Sequence, residues 1–228
     1  MLISFPYKFR WREHQKAAWN AFIKNNIKHI LLIWHRRAGK TKLAVNILAA
    51  AAHQRIGLYY FIFPTRKQAR DTVWFGRGKD GIKFVDHFPP HLIEKTNDAD
   101  LSITFKNGSI VQLRGSSMGS YESLRGGNPI GFLYDEYALI DPNARRAMDI
   151  AIEENEGWEI IISTPRSHNH LYELYNKVAN DPDWFVQLLT IDDTADEFGK
   201  PIFSSKMIAR LEKEHSKDWV DQELHCSF

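Results

Sequence analysis

The stretch Ile30-Leu31-Leu32-Ile33-Trp34-His35-Arg36-Arg37-Ala38-Gly39-Lys40-Thr41 decides the reading of this chain, and the residues from Leu43 to Ala52 that follow it are strongly helix-forming. Five consecutive apolar residues read as a strand buried on both faces, so strand, loop and helix occur in that order. Gly39-Lys40-Thr41 therefore stands where a phosphate-binding loop belongs. Backbone N–H groups and the helix N-terminus receive phosphates, Lys40 approaches the β and γ oxygens, and the Thr41 hydroxyl can ligate magnesium. The usual pattern wants a glycine five residues before Gly39, where this chain has Trp34. Taken alone Gly-Lys-Thr would sooner be a surface turn; the strand before it and the helix after it reverse that preference.

A second feature agrees with the first. Ile130 to Tyr134 is another apolar run, and it ends in Asp135-Glu136. That places Asp135 at a strand's carboxyl end, able to hold magnesium together with Thr41, and Glu136 next to it, able to polarise a water attacking a γ-phosphate. The bland alternative is an acidic start to the following helix, which Asp141-Pro142 begins. Further strands are expected at Leu58 to Phe63, Trp158 to Ile162 and Phe185 to Ile191, with helices over 14–25, from a Thr65 cap to about Trp74, around Leu171 to Val178, and over 205–215 and 217–226. Residues 102–106 and 109–114 flank Asn107-Gly108, a dipeptide favoured in two-residue hairpin turns with positive φ at both positions. Strands alternating with helices imply an α/β fold with a mainly parallel sheet covered on both faces.

Composition excludes several classes. The 228 residues are 43% hydrophobic with 13 Gly, 9 Pro and a single Cys, a globular pattern and neither disordered, collagenous nor disulfide-framed. No apolar run approaches the ~20 residues that span a bilayer, and Lys8, Arg10 and Arg12 precede any apolar segment, unlike a signal peptide; a soluble, intracellular protein without a membrane partner is expected. Cys226 alone offers no thiolate metal site, and His168-Asn169-His170 reads as a turn rather than a ligand pair. The net charge of +2 conceals 17 Lys/Arg against 4 Asp/Glu through residue 90, then 13 against 24. Such asymmetry suits a polyanion partner or self-association unless folding interleaves the halves.

The ordered set of motifs resembles the N-terminal ATPase domain of the large terminase subunit, the motor that drives double-stranded DNA into viral capsids. In that family the phosphate loop often lacks its first Gly and carries basic residues, as does His35-Arg36-Arg37-Ala38-Gly39-Lys40-Thr41, which with Lys42 would hold the nucleotide. Gln15 in Trp11-Arg12-Glu13-His14-Gln15 is similar in place to the family's adenine-recognising Gln, with Phe9 or Trp11 available to stack. Pro64-Thr65-Arg66-Lys67-Gln68-Ala69 and Ser123-Leu124-Arg125-Gly126-Gly127-Asn128 resemble two further segments, and Ser163-Thr164-Pro165 resembles the coupling motif that senses the γ-phosphate. Asp221-Gln222-Glu223-Leu224-His225-Cys226-Ser227-Phe228 is similar to the stretch that closes the ATPase domain. The resemblance implies a P-loop NTPase of the ASCE, RecA/helicase-like type with a β-hairpin insertion, residues 1–228 forming one ATPase domain. A nuclease domain would follow, and no nuclease activity is expected in these 228 residues. ATP and Mg2+ are the implied ligands. The implied partners are double-stranded DNA, further copies in a ring, the portal and procapsid, and a small terminase subunit, in host cytoplasm with transient docking on the procapsid.

An arginine finger is worth ~10³–10⁵ in phosphoryl-transfer rate, and three arginines compete for that role. Arg36 and Arg37 lie within the loop and act in cis or merely tether it; Arg125 lies in a Gly-flanked segment and either reaches a neighbour's site or is a solvated charge. Lys and Arg at 66, 67, 70, 77, 79 and 83, interleaved with Trp74 and Phe75, form a basic stretch suited to sequence-independent phosphate contacts. Two rival functions stand beside the motor. One is a helicase-like or other DNA-dependent remodelling ATPase, which needs a second motor domain in cis; the other is a non-hydrolysing, nucleotide-gated assembly module, which does not need the Asp135-Glu136 pair.

Overall fold

The computed structural model describes residues 9–78, 81–117 and 121–228, apart from the side chains of 122 and 123. Lys8, Lys79 and the side chain of Ser123 lie outside the described residues. Helix α1 (Gln15–Ile23) leads into β1 (His29–Trp34), α2 (Lys40–Gln54), β2 (Leu58–Phe63) and α3 (Arg66–Gln68). Three strands follow, β3 (Ile93–Asn97), β4 (Ser102–Phe105) and β5 (Ile110–Gly115), then β6 (Gly131–Asp135), α4 (Pro142–Arg146), α5 (Asp149–Glu154), β7 (Trp158–Ser163), α6 (His170–Val178), β8 (Trp184–Leu189), α7 (Ser205–Glu214) and α8 (Lys217–His225).

Among the described residues the strands form one sheet in the order β3-β4-β5-β2-β6-β7-β1-β8. From β5 to β8 every pairing is parallel; β3 and β4 are antiparallel. The period of two divides the side chains between two cores. Ile30, Leu32, Trp34, Phe61, Leu133 and Ile160 face α1 and α2. Leu31, Ile33, Ile62, Phe132, Tyr134 and Ile161 face the layer of α4, α5 and α6. Each such side chain contributes roughly 1.5–3 kcal/mol by leaving water, which is why these strands read as unbroken apolar runs. A third, smaller cluster of Ile191, Phe203, Val220 and Leu224 docks α7 and α8. Gly131 is required by close approach, because a Cβ there would lie 2.5 Å from the Trp158 ring and 2.6 Å from Tyr59.

The expected β-hairpin insertion is present: β4 and β5 pair antiparallel between β2 and β6 in the chain, and β5 joins the main sheet in parallel with β2. Three expectations change. The loop of that hairpin is not a two-residue turn, since Gly108 alone of the pair has positive φ, at 93°. Gly108 N–H donates to Phe105 O and Phe105 N–H to Ser109 O, the three-residue loop in which glycine takes the left-handed position. The helix capped by the Thr65 hydroxyl is α-helical for one turn only and continues as a π-helix over Ala69–Trp74, with Phe75 N–H bonded to Arg70 O. The last strand is β8, Trp184–Leu189, and Ile191 begins a 3-10 turn instead.

Candidate active site

The carboxyl ends of β1, β6 and β7 lie side by side because β7 is hydrogen-bonded between the other two, with Ser163 level with Ile33 and Asp135 level with Ile162. All the chemistry-bearing loops leave from that edge.

After Trp34 the loop turns through positive φ at Arg37 (68°) and Gly39 (88°). At Gly39 a side chain would be strained, and its Cβ would fall 2.7 Å from Gln15 Nε2. Three consecutive loop carbonyls are bound by one short segment. Arg12 Nη1 donates to Arg37 O (3.1 Å), His14 Nε2 lies 2.9 Å from Ala38 O, and Gln15 Nε2 donates to Gly39 O (3.0 Å). Since Ala38 O can only accept, that bond requires the proton of neutral His14 on Nε2. On the other side His35 N–H donates to Leu189 O and Arg36 N–H to Glu223 O. Buried His35 places Nε2 2.6 Å from Thr194 Oγ1. Its pKa is pushed down to about 4, first by burial and then by the charge of Lys40. Trp34, in the position of the missing glycine, is fully buried. Loop shape thus comes from Arg37, Gly39 and these tethers, with no need for a leading glycine.

Lys40 Nζ donates to Trp34 O (2.7 Å), His35 O (3.0 Å) and Thr164 Oγ1 (3.2 Å), so its three protons are shared among protein oxygens. Burial lowers its pKa, opposed by Asp135 and other nearby acidic groups. Thr41 Oγ1 donates to Asp135 Oδ2 at 3.0 Å. The Asp135 carboxyl is pushed up to about 6, by burial first and by the Glu136 charge second, despite the Thr41 hydroxyl and Lys40. Glu136 takes a left-handed backbone (φ 57°) at the turn out of β6. Ser163 Oγ accepts from Ala138 N–H and donates to Thr164 O, so the Ser163-Thr164 pair touches both the turn after Glu136 and the lysine of the loop.

These groups border a cavity of about 730 Å³ whose walls include Arg36, Arg37, Lys40, Thr41, Asp135 and Glu136. An adjoining cavity of about 570 Å³ runs along α2 past Lys42 and Val45 to Val73, Arg77 and Phe84. A magnesium ion fits this donor set. Thr41 offers a hydroxyl and Asp135 a carboxyl that burial and the neighbouring Glu136 charge hold above its ordinary range, so an added cation would favour its ionised form.

A family profile described as terminase large subunit, T4likevirus-type, N-terminal, matches residues 35–228. The chain belongs to that family. Comparison with curated protein sequences gives no match. Among solved structures, the ATPase domain of the large terminase of Thermus phage P74-26 is similar at 19% identity and TM-score 0.71, over 99% of this chain and 100% of that one. The large terminase of a second, thermophilic bacteriophage, in complex with ADP, is similar at 16% identity and TM-score 0.73, over 95% of this chain and 53% of that one. The same thermophilic-phage protein in complex with ATP-gamma-S gives 14% and 0.71. This chain thus spans about half the length of that second protein. The fold is that of the terminase ATPase domains, an ASCE P-loop fold.

In this terminase chain Lys40, Thr41, Lys42, Asp135, Glu136, Thr164 and the loop arginines come together. Gln15 does not border either cavity; it is buried, accepts from Arg12 N–H and supports the loop from behind. Trp11 packs edge-on against Phe9 and Trp19. Arg125 is exposed in a 3-10 turn, Tyr121–Arg125, and is not among the cavity walls. Trp74 is buried with Nε1 donating to Asp98, Arg66 donates to Ala99 O, and Arg77 and Lys83 turn to the cavity beside Thr41. Arg12, His14, His35 and Glu223 had no signal of their own in the sequence beyond lying near Gln15, the loop or the closing segment.

Proposed function

We propose that this chain binds and hydrolyses ATP, and that hydrolysis drives double-stranded DNA into a preformed viral capsid. The observation that carries the reading is the convergence of Lys40, Thr41, Asp135, Glu136 and Thr164 at one edge of a parallel sheet. The nucleotide complexes of the similar thermophilic-phage terminase support ATP as the ligand.

The triphosphate lies over the loop, where the N–H groups of the first turn of α2 have no partner within the helix. Lys40 exchanges its carbonyl contacts for the β and γ oxygens. Thr41 and Asp135 would hold Mg2+, which supplies charge neutralisation on those oxygens. Glu136 accepts the proton of the attacking water, Arg36 and Arg37 balance charge from the loop, and Thr164, in contact with Lys40, reports on the γ-phosphate together with Ser163. Residues 1–228 act as one ATPase domain. Arg125 serves a neighbouring copy in a ring that meets the portal, procapsid and small terminase subunit in host cytoplasm. Among the described residues no helix is long and apolar enough to cross a membrane.

Phosphate release, measured with and without double-stranded DNA and capsid components, tests the reading. Glu136→Gln should bind ATP and lose about 10²-fold or more of turnover, the range of a general base. Normal turnover in that variant would refute the assignment, and ATP binding without release in the unaltered chain would favour the assembly-module alternative.

A further inference from the structure

The turn that carries Glu136 is gripped by the start of α6. Glu136 is a non-glycine residue in the left-handed region (φ 57°), a conformation that costs free energy and persists only where the surroundings over-determine it. Inside the turn, Leu139 N–H bonds to Glu136 O at 2.8 Å and Ile140 N–H to Tyr137 O at 3.0 Å. Side chains from outside add to these. Ser163 Oγ accepts Ala138 N–H, and the N-cap and first residue of α6 hold two successive carbonyls. His170 Nε2 lies 2.8 Å from Tyr137 O, and Asn169 Nδ2 donates to Ala138 O at 3.0 Å. Tyr137 O can only accept, so His170 must present a proton on Nε2. Its ring also stands edge-on to the Tyr137 ring, with centroids 4.9 Å apart. Asn169 works in two directions, because its Oδ1 accepts Leu171 N–H at 3.0 Å and so caps α6. Neither Asn169 nor His170 is among the walls of the two cavities beside the phosphate loop; both act on backbone atoms one and two residues past Glu136.

We propose that Asn169 and His170 are positioning residues for Glu136: by holding Ala138 O and Tyr137 O they keep its backbone in the left-handed region and its carboxylate aimed at the attacking water. A misplacement of roughly 1 Å at a reacting group costs about 10²-fold in rate. Two side chains that touch neither nucleotide nor water therefore set turnover without setting affinity. Because Thr164, which contacts Lys40, precedes Asn169 by five residues in the same segment, a movement of that segment reaches the base through these two bonds. This inference rests on the ATPase reading above.

The test uses the full chain and reads phosphate release, ATP-gamma-S affinity and thermal melts side by side. Asn169→Asp separates the two jobs of that residue: a carboxylate still caps Leu171 N–H but has no donor for Ala138 O. Turnover should fall about 10- to 100-fold, with the melting temperature and the affinity for ATP-gamma-S little changed. A residue that only stabilises the fold would move melting and affinity together with turnover, and that pattern, or normal turnover, overturns the proposal. Combining Asn169→Asp with Glu136→Gln should leave turnover at the level of Glu136→Gln alone, since both act through one carboxylate; losses that multiply would show independent action and refute it. His170→Leu should lose turnover in the same way, and His170→Gln, whose amide nitrogen supplies a donor, should recover most of that loss. Equal turnover in the Leu and Gln variants removes His170 from the proposal. Should Asn169→Asp fail to fold, Asn169→Ser decides in its place, because it also caps the helix and lacks the amide. If the unaltered chain neither binds ATP-gamma-S nor releases phosphate, the ATPase reading falls and this inference with it. If Glu136→Gln stops hydrolysis while Asn169→Asp and His170→Leu turn over normally, this inference alone falls.

Discussion

Thr41 and Asp135 stand 94 residues apart in the chain and are joined by a 3.0 Å hydrogen bond from the hydroxyl to Oδ2. The contact leaves a buried carboxyl with one hydroxyl donor and a pKa raised from 3.8 to about 6. Between those values the folded protein holds a proton that the unfolded chain has released, so this group adds stability as pH falls and opposes folding at neutral pH. Asp135→Asn should therefore raise stability of the nucleotide-free protein at pH 7 by on the order of 2 kcal/mol while abolishing hydrolysis. Thermal melts and phosphate release check both halves; a lower melting temperature would contradict the first.

His35 has the opposite sign. Its pKa falls from 6.5 to about 4, so between those values the unfolded chain binds the proton and acid weakens the fold. With His35→Asn, the stability lost on acidification through that window should shrink, leaving the Asp135 contribution to show as a gain. A melting curve series with the same acid slope as the unaltered chain would argue against it.

Gln15 binds the loop carbonyl of Gly39 and is not itself among the cavity walls. Losing one such buried bond costs about 1 kcal/mol, so Gln15→Ala should weaken ATP and GTP alike, by roughly fivefold. A loss confined to ATP, seen in parallel titrations, would restore direct adenine recognition.

Arg125 is exposed and is not among the walls of its own chain's candidate nucleotide cavity. Arg125→Ala is expected to retain nucleotide binding and lose hydrolysis, and mixing it with Lys40→Ala chains should restore part of the activity under conditions that assemble a ring. Full activity of the single variant, or no rescue in the mixture, would rule out action on a neighbour.

Legibility in the sequence followed burial and local spacing. β1, β2, β6 and β7 were readable because both faces are covered, so their apolar runs are unbroken. β3 was not, because Ile93-Glu94-Lys95-Thr96-Asn97 is an exposed edge with no apolar face. The π-helical turns after Gln68 carry no local signature. Lys40, Thr41, Asp135 and Glu136 were legible because the chemistry dictates residue types at strand ends. Arg12, His14 and Glu223 were not. The first two reach a loop 25 and 24 residues away, the third acts from the far end of the chain, and nothing in their immediate spacing announces it.

The row of three bonds from Arg12, His14 and Gln15 to Arg37, Ala38 and Gly39 makes two stretches of chain one thermodynamic object. By reciprocity, any ligand or neighbouring molecule that grips residues 12–15 and alters nucleotide affinity through these bonds has its own affinity altered by nucleotide by the same factor, without approaching the cavity.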